Sequence, residues 1–245
     1  MLSKSRIKLI TSLKQKKYRN QHQLFVVEGL KTINEFLNSN YSLSFLYTTQ
    51  FFDTVKAEKQ LLITEKELQQ ISFLKNSNSA LAIFKMNLET TTENSELTVA
   101  LDNVRDPGNL GTIIRLCDWF GVTQLICNTE TVDCYNPKVV QATMGSLTRV
   151  KVQYVPLENY LKNHTKTPIY GAFMDGDNIY TTTPQTKAGI LVLGNEANGI
   201  SPEIEKHITK RISIPRFGTL KATESLNVAM ATSILLSEFK RKTNF

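Results

Sequence analysis

Three points in the sequence join an apolar stretch to amide, carboxylate or guanidinium side chains. At the first, DNVRDPGNLGTIIR, a turn carries Asn103 and Asn109, and Arg115 follows about two helical turns later. At the second, LVLGNEANGIS, an apolar stretch runs directly into Gly194 and Glu196. A carboxylate so close to a buried strand end is expected to be hydrogen-bonded or functional, because burial without a partner is costly. Both points are therefore candidates for a binding or catalytic site.

The third point is ISIPRFGTLKATESLNVAMA, where an apolar stretch ends at Pro215, and Ser225 and Asn227 lie at the start of a predicted helix. Taken alone, each point also has a purely structural interpretation. Asparagine and glycine build turns, Arg115 can form a surface ion pair, and Ser225 can cap its helix. The case for a site therefore rests on the three points taken together.

Several common kinds of site are missing from the sequence. It has no G-x-G-x-x-G after a strand, no G-x-x-x-x-G-K-[ST] and no zinc-type H-x-E…C-x-x-C set. The histidines His22, His164 and His207 lie far from the three points, which disfavours a Ser-His-Asp hydrolase. The three cysteines include no C-x-x-C pair, so we expect neither a disulfide framework nor a metal site.

Alternating strands and helices in the second part of the chain would position these three points. Strands are predicted at 97–103, 123–128, 149–155, 168–173, 189–194 and 211–215, and helices at about 109–120, 136–147, from 201, and 225–242. This alternation predicts an α/β fold with a mostly parallel sheet. Because ligands bind beyond the carboxyl ends of strands in such sheets, we expect the three points to converge.

The first part of the chain is predicted to be a smaller α/β unit with a basic start. Residues 1–20 hold seven lysines and arginines and no acid, which suits a polyanion but is also typical of a solvated helix face. A polar segment without hydrophobic periodicity, 87–96, follows this unit. No apolar run is long enough to span a membrane, and we expect a cytoplasmic protein.

In this order, the three points resemble the signature motifs of the SpoU (TrmH-like) branch of the SPOUT RNA methyltransferases. The pattern N-x-x-D-P-x-N-x-G-x-I-x-R is met from Asn103 to Arg115, and L-G-x-E-x-x-G-[IL] from Leu193 to Ile200. The pattern I-P…S-L-N-V is met at 214–215 and 225–228, with nine residues between its halves. That spacing is longer than expected for many relatives. The first part resembles the substrate-binding domain common in the family.

The resemblance implies a C-terminal deep trefoil knot, a homodimer, and methylation of a ribose 2′-hydroxyl in rRNA or tRNA by S-adenosyl-L-methionine, without a metal. It implies an RNA-binding domain over 1–90, a linker over 91–96 and a methyltransferase domain over 97–245. The implied catalytic residues are Arg115, Asn109, Glu196, Ser225 and Asn227. The implied cofactor-binding residues, which act largely through backbone groups, are Gly194, Ile214 and Leu226. The predicted RNA contacts are Lys14, Lys16, Lys17 and Arg19.

Arginine stays protonated in proteins, so we predict an electrostatic role for Arg115 rather than that of a general base. Its planar guanidinium suits an RNA phosphate and a developing alkoxide. Two alternatives are an RNA-binding protein that keeps the fold without catalysis and a methyltransferase for a small molecule. The intact motif residues disfavour the first alternative, and the basic N-terminal unit disfavours the second.

Overall fold

The structure is a computed structural model that describes residues 2–75, 79–87, 97–182, 188–218, 220 and 225–244. By its internal contacts the chain divides into two units. The first comprises Met1–Glu89 and Asp133–Thr148, and the second comprises Thr90–Val132 and Arg149–Phe245. The predicted linker 91–96 lies outside the described residues. The sequence predicts 133–148 in the second domain, whereas the structure groups this segment with the first unit.

The first unit is built on a four-stranded sheet of order β1-β4-β2-β3. Its elements before the gap are α1 (Lys4–Ser12), α2 (Lys16–His22), β1 (Leu24–Glu28), α3 (Leu30–Leu37), β2 (Leu43–Thr48), β3 (Gln60–Leu62), α4 (Glu65–Ile71) and β4 (Ala80–Lys85). Ile10 of α1 and Leu13, which follows this helix, are fully buried in the core of the unit. A capping box starts α4, since Thr64 Oγ1 accepts from the Glu67 N–H while the Glu67 carboxylate accepts from the Thr64 N–H.

The second unit is built on a six-stranded sheet of order β10-β8-β9-β5-β6-β7. The remaining elements are β5 (Leu97–Leu101), α5 (Pro107–Trp119), β6 (Gln124–Cys127), α6 (Pro137–Thr143), β7 (Lys151–Tyr154), α7 (Leu157–Lys162), β8 (Ile169–Asn178), β9 (Gly189–Leu193), α8 (Pro202–Glu205), β10 (Lys210–Ser213) and α9 (Val228–Asn244). Every strand pairing in this sheet is parallel, which confirms the predicted sheet. The loops after β5, β6 and β9 therefore share one edge, where ligands bind in such folds.

Helices α5 and α9 pack against each other in the second unit. Helix α5 begins at Pro107, and the Asp106 carboxylate caps it by accepting from the Asn109 N–H at 2.8 Å. Helix α9 begins at Val228 rather than at the predicted Ser225. No helix of the described residues is long and apolar enough to cross a membrane.

The segment 133–148, which includes α6, is held in the first unit by ring packing and by a buried ion pair. The rings of Tyr135 and Phe25 lie 4.6 Å apart between centroids, and the Tyr135 hydroxyl donates to the Asn87 carbonyl oxygen at 3.0 Å. Burial raises the pKa of Tyr135, which keeps this hydroxyl protonated as a donor. Arg19 Nε donates to Asp133 Oδ2 at 3.0 Å, and both side chains are buried.

Candidate active site

A chain of side-chain hydrogen bonds links the three points singled out in the sequence. Asn109 Nδ2 donates to Glu196 Oε1 at 2.7 Å, and Asn227 Nδ2 donates to Asn109 Oδ1 at 2.9 Å. Asn109 lies at the start of α5, Glu196 lies in the loop after β9, and Asn227 directly precedes α9. The structure therefore brings these three predicted site residues together and places the Asn109 amide between the other two.

Asn227 also caps α9. Its Oδ1 accepts from the N–H groups of Ala229 and Met230 at 3.0 and 3.2 Å, which leaves Nδ2 to reach Asn109. The structural alternative for Ser225, that it caps this helix, is wrong. Ser225 is exposed and, within the described part of the chain, makes no hydrogen bond, so it lies outside this hydrogen-bonded chain.

The loop that carries Glu196 is closed on itself. The Asn195 N–H donates to the Gly199 carbonyl oxygen and the Gly199 N–H to that of Asn195, both at 2.9 Å. A Cβ on Gly194 would lie 2.1 Å from the Gly199 carbonyl carbon, so this close approach requires glycine. Gly199 has a φ of +68°, the left-handed region that also favours glycine. The glycines of this motif thus build a compact loop that presents Glu196.

Arg115 does not join the hydrogen-bonded chain. It lies on α5 in an exposed stripe with Thr112 and Trp119, as their spacing predicts. Among the described residues it has no hydrogen bond or ion pair, so the surface ion pair considered above is not observed there. Arg115 therefore presents an exposed guanidinium that can bind an anion.

The three predicted cofactor-binding residues differ in exposure. Gly194 and Ile214 are half-buried, and the Leu226 side chain is exposed. Among the described residues, the backbone groups of Ile214 and Leu226 have no hydrogen-bond partner. The loop between them is described only in part. Lys221, which from the sequence is either an RNA contact or a solvated lysine, lies outside the described residues. These backbone groups can accept and donate hydrogen bonds to a ligand.

Two residues at this edge, Asp102 and Asn195, carry contacts to which the sequence analysis assigns no role. Asp102, directly after β5, is 1% exposed and accepts from the Ser201 N–H at 2.8 Å and from Asn128 Nδ2 at 2.9 Å. Asn195 Nδ2 donates to the Asn103 carbonyl oxygen at 2.7 Å. An acid placed directly after the apolar run LTVAL was the available signal for Asp102, because such a carboxylate requires donors.

The predicted RNA contacts near the N-terminus separate into two kinds. Lys14, Lys16 and Lys17 are exposed. Arg19 is 2% exposed, pairs with Asp133, and donates through Nη1 to the carbonyl oxygens of Leu13 and Lys14, both at 2.9 Å. The prediction that Arg19 contacts RNA is therefore corrected, because its guanidinium is enclosed and already bonded.

Thiol and metal chemistry receive no support from the described residues. Cys117, Cys127 and Cys134 are buried thiols. Burial raises the pKa of Cys117 to about 12, so this thiol stays protonated and unreactive near neutral pH. Among the described residues, no group of histidine, cysteine, aspartate and glutamate is arranged to hold a metal ion.

Comparison with known proteins finds relatives for both parts of the chain. The SpoU rRNA Methylase family matches residues 96–237, and the MRM3-like substrate binding domain matches residues 4–82. A TrmH-family protein of solved structure from Porphyromonas gingivalis is 39% identical, with a TM-score of 0.90 over 99% of this chain and 100% of that one. An rRNA methyltransferase from Sinorhizobium meliloti, solved with bound AdoMet, is 30% identical, with a TM-score of 0.89 over 100% of this chain and 97% of that one.

A relative of assigned activity is the 23S rRNA (guanosine(2553)-2′-O)-methyltransferase of Bacillus subtilis. It is 26% identical over 230 residues, which span 91% of this chain and 91% of that protein. The similarity therefore extends over both units rather than over the three motifs alone.

Proposed function

Because the chain belongs to the SpoU rRNA methylase family, we propose that it transfers a methyl group from S-adenosylmethionine to a ribose 2′-hydroxyl in structured RNA. The observation that carries the proposal is the hydrogen-bonded chain of Glu196, Asn109 and Asn227. It unites three motifs that are separated by 87 and 118 residues in sequence. The names of the relatives favour ribosomal RNA, and transfer RNA is the second candidate.

The described residues fit the cofactor. Backbone groups of Ile214 and Leu226 have no partner within the described part of the chain, and Asn103 Oδ1 is a buried acceptor that lacks a partner there. Recognition by backbone groups agrees with the absence of a G-x-G-x-x-G fingerprint. When bound, S-adenosylmethionine supplies an electrophilic methyl group. We propose that the loops at Gly194, Ile214 and Leu226 hold it.

The residues of the chain have to align the 2′-hydroxyl and stabilise charge. Orientation alone can account for about 7–11 kcal/mol of a barrier. Asn109 is held at both ends of its amide, so a flip would place like groups against Glu196 and Asn227. One Nδ2 hydrogen and one Oδ1 lone pair of Asn109 are left for the substrate.

We assign Arg115 the task of binding an RNA phosphate and stabilising the developing alkoxide. Its guanidinium is exposed, and its planar fork of donors suits both a phosphate and a developing alkoxide. The hydroxyl proton then leaves to water or to a phosphate oxygen rather than to Arg115. Ser225 is placed beside the substrate in this proposal, because it precedes Asn227 on the same exposed segment.

We further propose a homodimer and a knotted C-terminal segment. Trp119 on α5 is 84% exposed and Met230 on α9 is 61% exposed, and a second copy that covers them would remove apolar surface from water. Strand β10 lies at the edge of the sheet, three places from β5. Helix α9 follows β10 in the chain, yet it packs against α5, which follows β5. This return of the chain across the sheet supports the crossing that a trefoil knot requires. The cytoplasmic location stays a prediction.

The proposal is tested by release of S-adenosylhomocysteine from the purified protein with structured RNA and without RNA. We expect RNA-dependent release and a new 2′-O-methyl nucleotide by mass spectrometry. A Glu196→Ala variant serves as the control for contaminating activity. Release without RNA would contradict the RNA substrate. RNA binding without release on any ribosomal or transfer RNA would favour the alternative, an RNA-binding protein that keeps the fold without catalysis.

A further inference from the structure

We infer that Asp102 and Asn195 are positioning residues that fix the loop 194–201 so that Glu196 can hold Asn109. The inference rests on the proposed function for its consequence in catalysis, but its geometric part can be tested separately. Neither side chain is hydrogen-bonded to Asn109 among the described residues, so we infer that both act on it through the loop.

Asp102 holds the end of this loop. Its Oδ2 accepts from the Ser201 N–H at 2.8 Å, and its Oδ1 accepts from Asn128 Nδ2 at 2.9 Å. The side chain is buried, so each carboxylate oxygen requires a donor. An asparagine here would turn its NH2 group towards one of these two donors. Aspartate is therefore required because it only accepts hydrogen bonds.

Asn195 holds the start of the loop with both ends of its amide. Its Nδ2 donates to the Asn103 carbonyl oxygen at 2.7 Å, and its Oδ1 accepts from the Ala197 and Asn198 N–H groups at 2.9 and 3.2 Å. The backbone bridge between Asn195 and Gly199 closes the loop between these points. An aspartate would keep the acceptor and place an oxygen against the Asn103 carbonyl.

We call the hydrogen bonds of Asp102 to Ser201 and of Asn195 to Asn103 the two clamps. Their acceptors, the Asp102 carboxylate and the Asn103 carbonyl oxygen, belong to adjacent residues directly after β5. The loop is thus attached at its start and at its end to one short stretch of backbone. Glu196 is exposed and its carboxylate accepts from Asn109, so the surrounding core does not hold it in place. The loop therefore determines the position of Glu196, and Glu196 in turn orients the Asn109 amide through their hydrogen bond.

The backbone directly after β5 is itself held by the loop after β6. The Asn103 N–H donates to Asn128 Oδ1 at 3.1 Å, and Asn128 Oδ1 accepts from Thr131 Oγ1 at 2.8 Å. Asn103 has a φ of +64°, a conformation that asparagine tolerates better than most residues. Residues after β5 and β6 therefore form a hydrogen-bonded base to which the loop after β9 is attached.

The test uses the side-chain amide resonance of Asn109 in protein labelled with ¹⁵N at asparagine, assigned by its loss in Asn109→Ala. We expect Asn195→Asp and Asp102→Asn to shift this resonance in the direction seen in Glu196→Gln. Asn198→Asp is the matched control, because it adds the same charge three residues away on an exposed side chain. An unchanged Asn109 resonance in Asn195→Asp would overturn the inference.

Activity gives the second measurement. At saturating RNA and cofactor, we expect kcat of Asn195→Asp to fall by up to about 100-fold, while Asn163→Asp, at an exposed asparagine after α7 and away from this loop, stays at the wild-type value. Equal kcat in the two variants would also overturn the inference. A shifted resonance in a protein that methylates no RNA would leave the clamp standing and remove the proposed function. If Asn195→Asp does not fold, Asn195→Ala is used for both measurements.

Discussion

The two units differ in how each uses an arginine. Arg19 in the first unit is 2% exposed and is bonded to Asp133, whereas Arg115 in the second unit is exposed and has no ion pair among the described residues. A buried cation destabilises the fold unless it is fully partnered, while an exposed one contributes little to stability. Burial therefore distinguishes an arginine that stabilises the fold from one that can bind a ligand. A substitution of Arg19 should change the free energy of unfolding, and a substitution of Arg115 should change the rate of methylation.

The largest effect is expected for Arg19→Ala. Removing this guanidinium leaves the Asp133 carboxylate buried without its cation, which costs about 3–5 kcal/mol. Urea unfolding followed by circular dichroism measures the loss. A double variant, Arg19→Met with Asp133→Leu, is the control. It should recover part of the stability, because it removes the unpaired carboxylate but leaves the Leu13 and Lys14 carbonyl oxygens without their donor. A stable Arg19→Ala protein with weakened RNA binding would restore Arg19 as an RNA-binding residue.

Arg115→Ala is expected to leave the free energy of unfolding unchanged and to lower kcat by about 10²–10³-fold, as the loss of one donor to a developing oxyanion does elsewhere. Single-turnover methylation measures the rate, and calorimetry measures cofactor affinity, which should stay close to that of the wild type. Arg115→Lys keeps the charge but not the planar fork of donors, so its kcat should lie between those of the wild type and of Arg115→Ala. Loss of cofactor binding in Arg115→Ala would refute the assignment.

Replacing Lys14, Lys16 and Lys17 by alanine tests the exposed neighbours of Arg19. We expect weaker RNA binding without a loss of stability, because the three side chains are solvated. The slope of log affinity against log salt should flatten by about 0.7–0.9 for each RNA phosphate that the variant no longer neutralises. Exposed Lys56, Lys66 and Lys75, replaced together, provide a control of equal charge. An unchanged slope would return the first three lysines to a solvated helix face.

Two glycines give the smallest and most closely matched comparison. Gly121 and Gly199 have φ values of +64° and +68°, and a Cβ on either would meet nothing within 4 Å. Alanine at each site should therefore cost about 1–2 kcal/mol of backbone strain. We expect only Gly199→Ala to lower methylation, because Gly199 closes the loop that presents Glu196. Equal activity in the two variants, measured well below their unfolding temperatures, would argue against a role for loop shape.

Much of the second unit could be predicted because its signals are local. The alternation of apolar runs and turns predicted the parallel sheet, and the strand ends predicted the meeting of Asn109 with Glu196. The sequence predicts the start of α9 at Ser225, whereas the helix begins at Val228. Ser225 and Asn227 are both residue types that cap helices. Asn227 is the one that accepts hydrogen bonds from the first N–H groups of α9.

The role of Arg19 could not be predicted from its surroundings in the sequence. It stands in a run of basic residues and looks like its exposed neighbours. Its partner Asp133 is 114 residues away, so the pair exists only once the chain has folded. For Asp102, the acid directly after LTVAL is a local sign that donors are needed, but the donor Ser201 is 99 residues away, so the sequence does not identify it.

The placement of 133–148 in the first unit has a consequence for biosynthesis. During translation, Phe25 and Arg19 emerge more than 100 residues before Tyr135 and Asp133, which complete their surroundings. At about 5–20 residues per second, that interval lasts on the order of 5–20 s. Throughout it Phe25 lacks the Tyr135 ring and Arg19 lacks the Asp133 carboxylate. The first unit can therefore complete its packing only after Asp133 and Tyr135 have been synthesised.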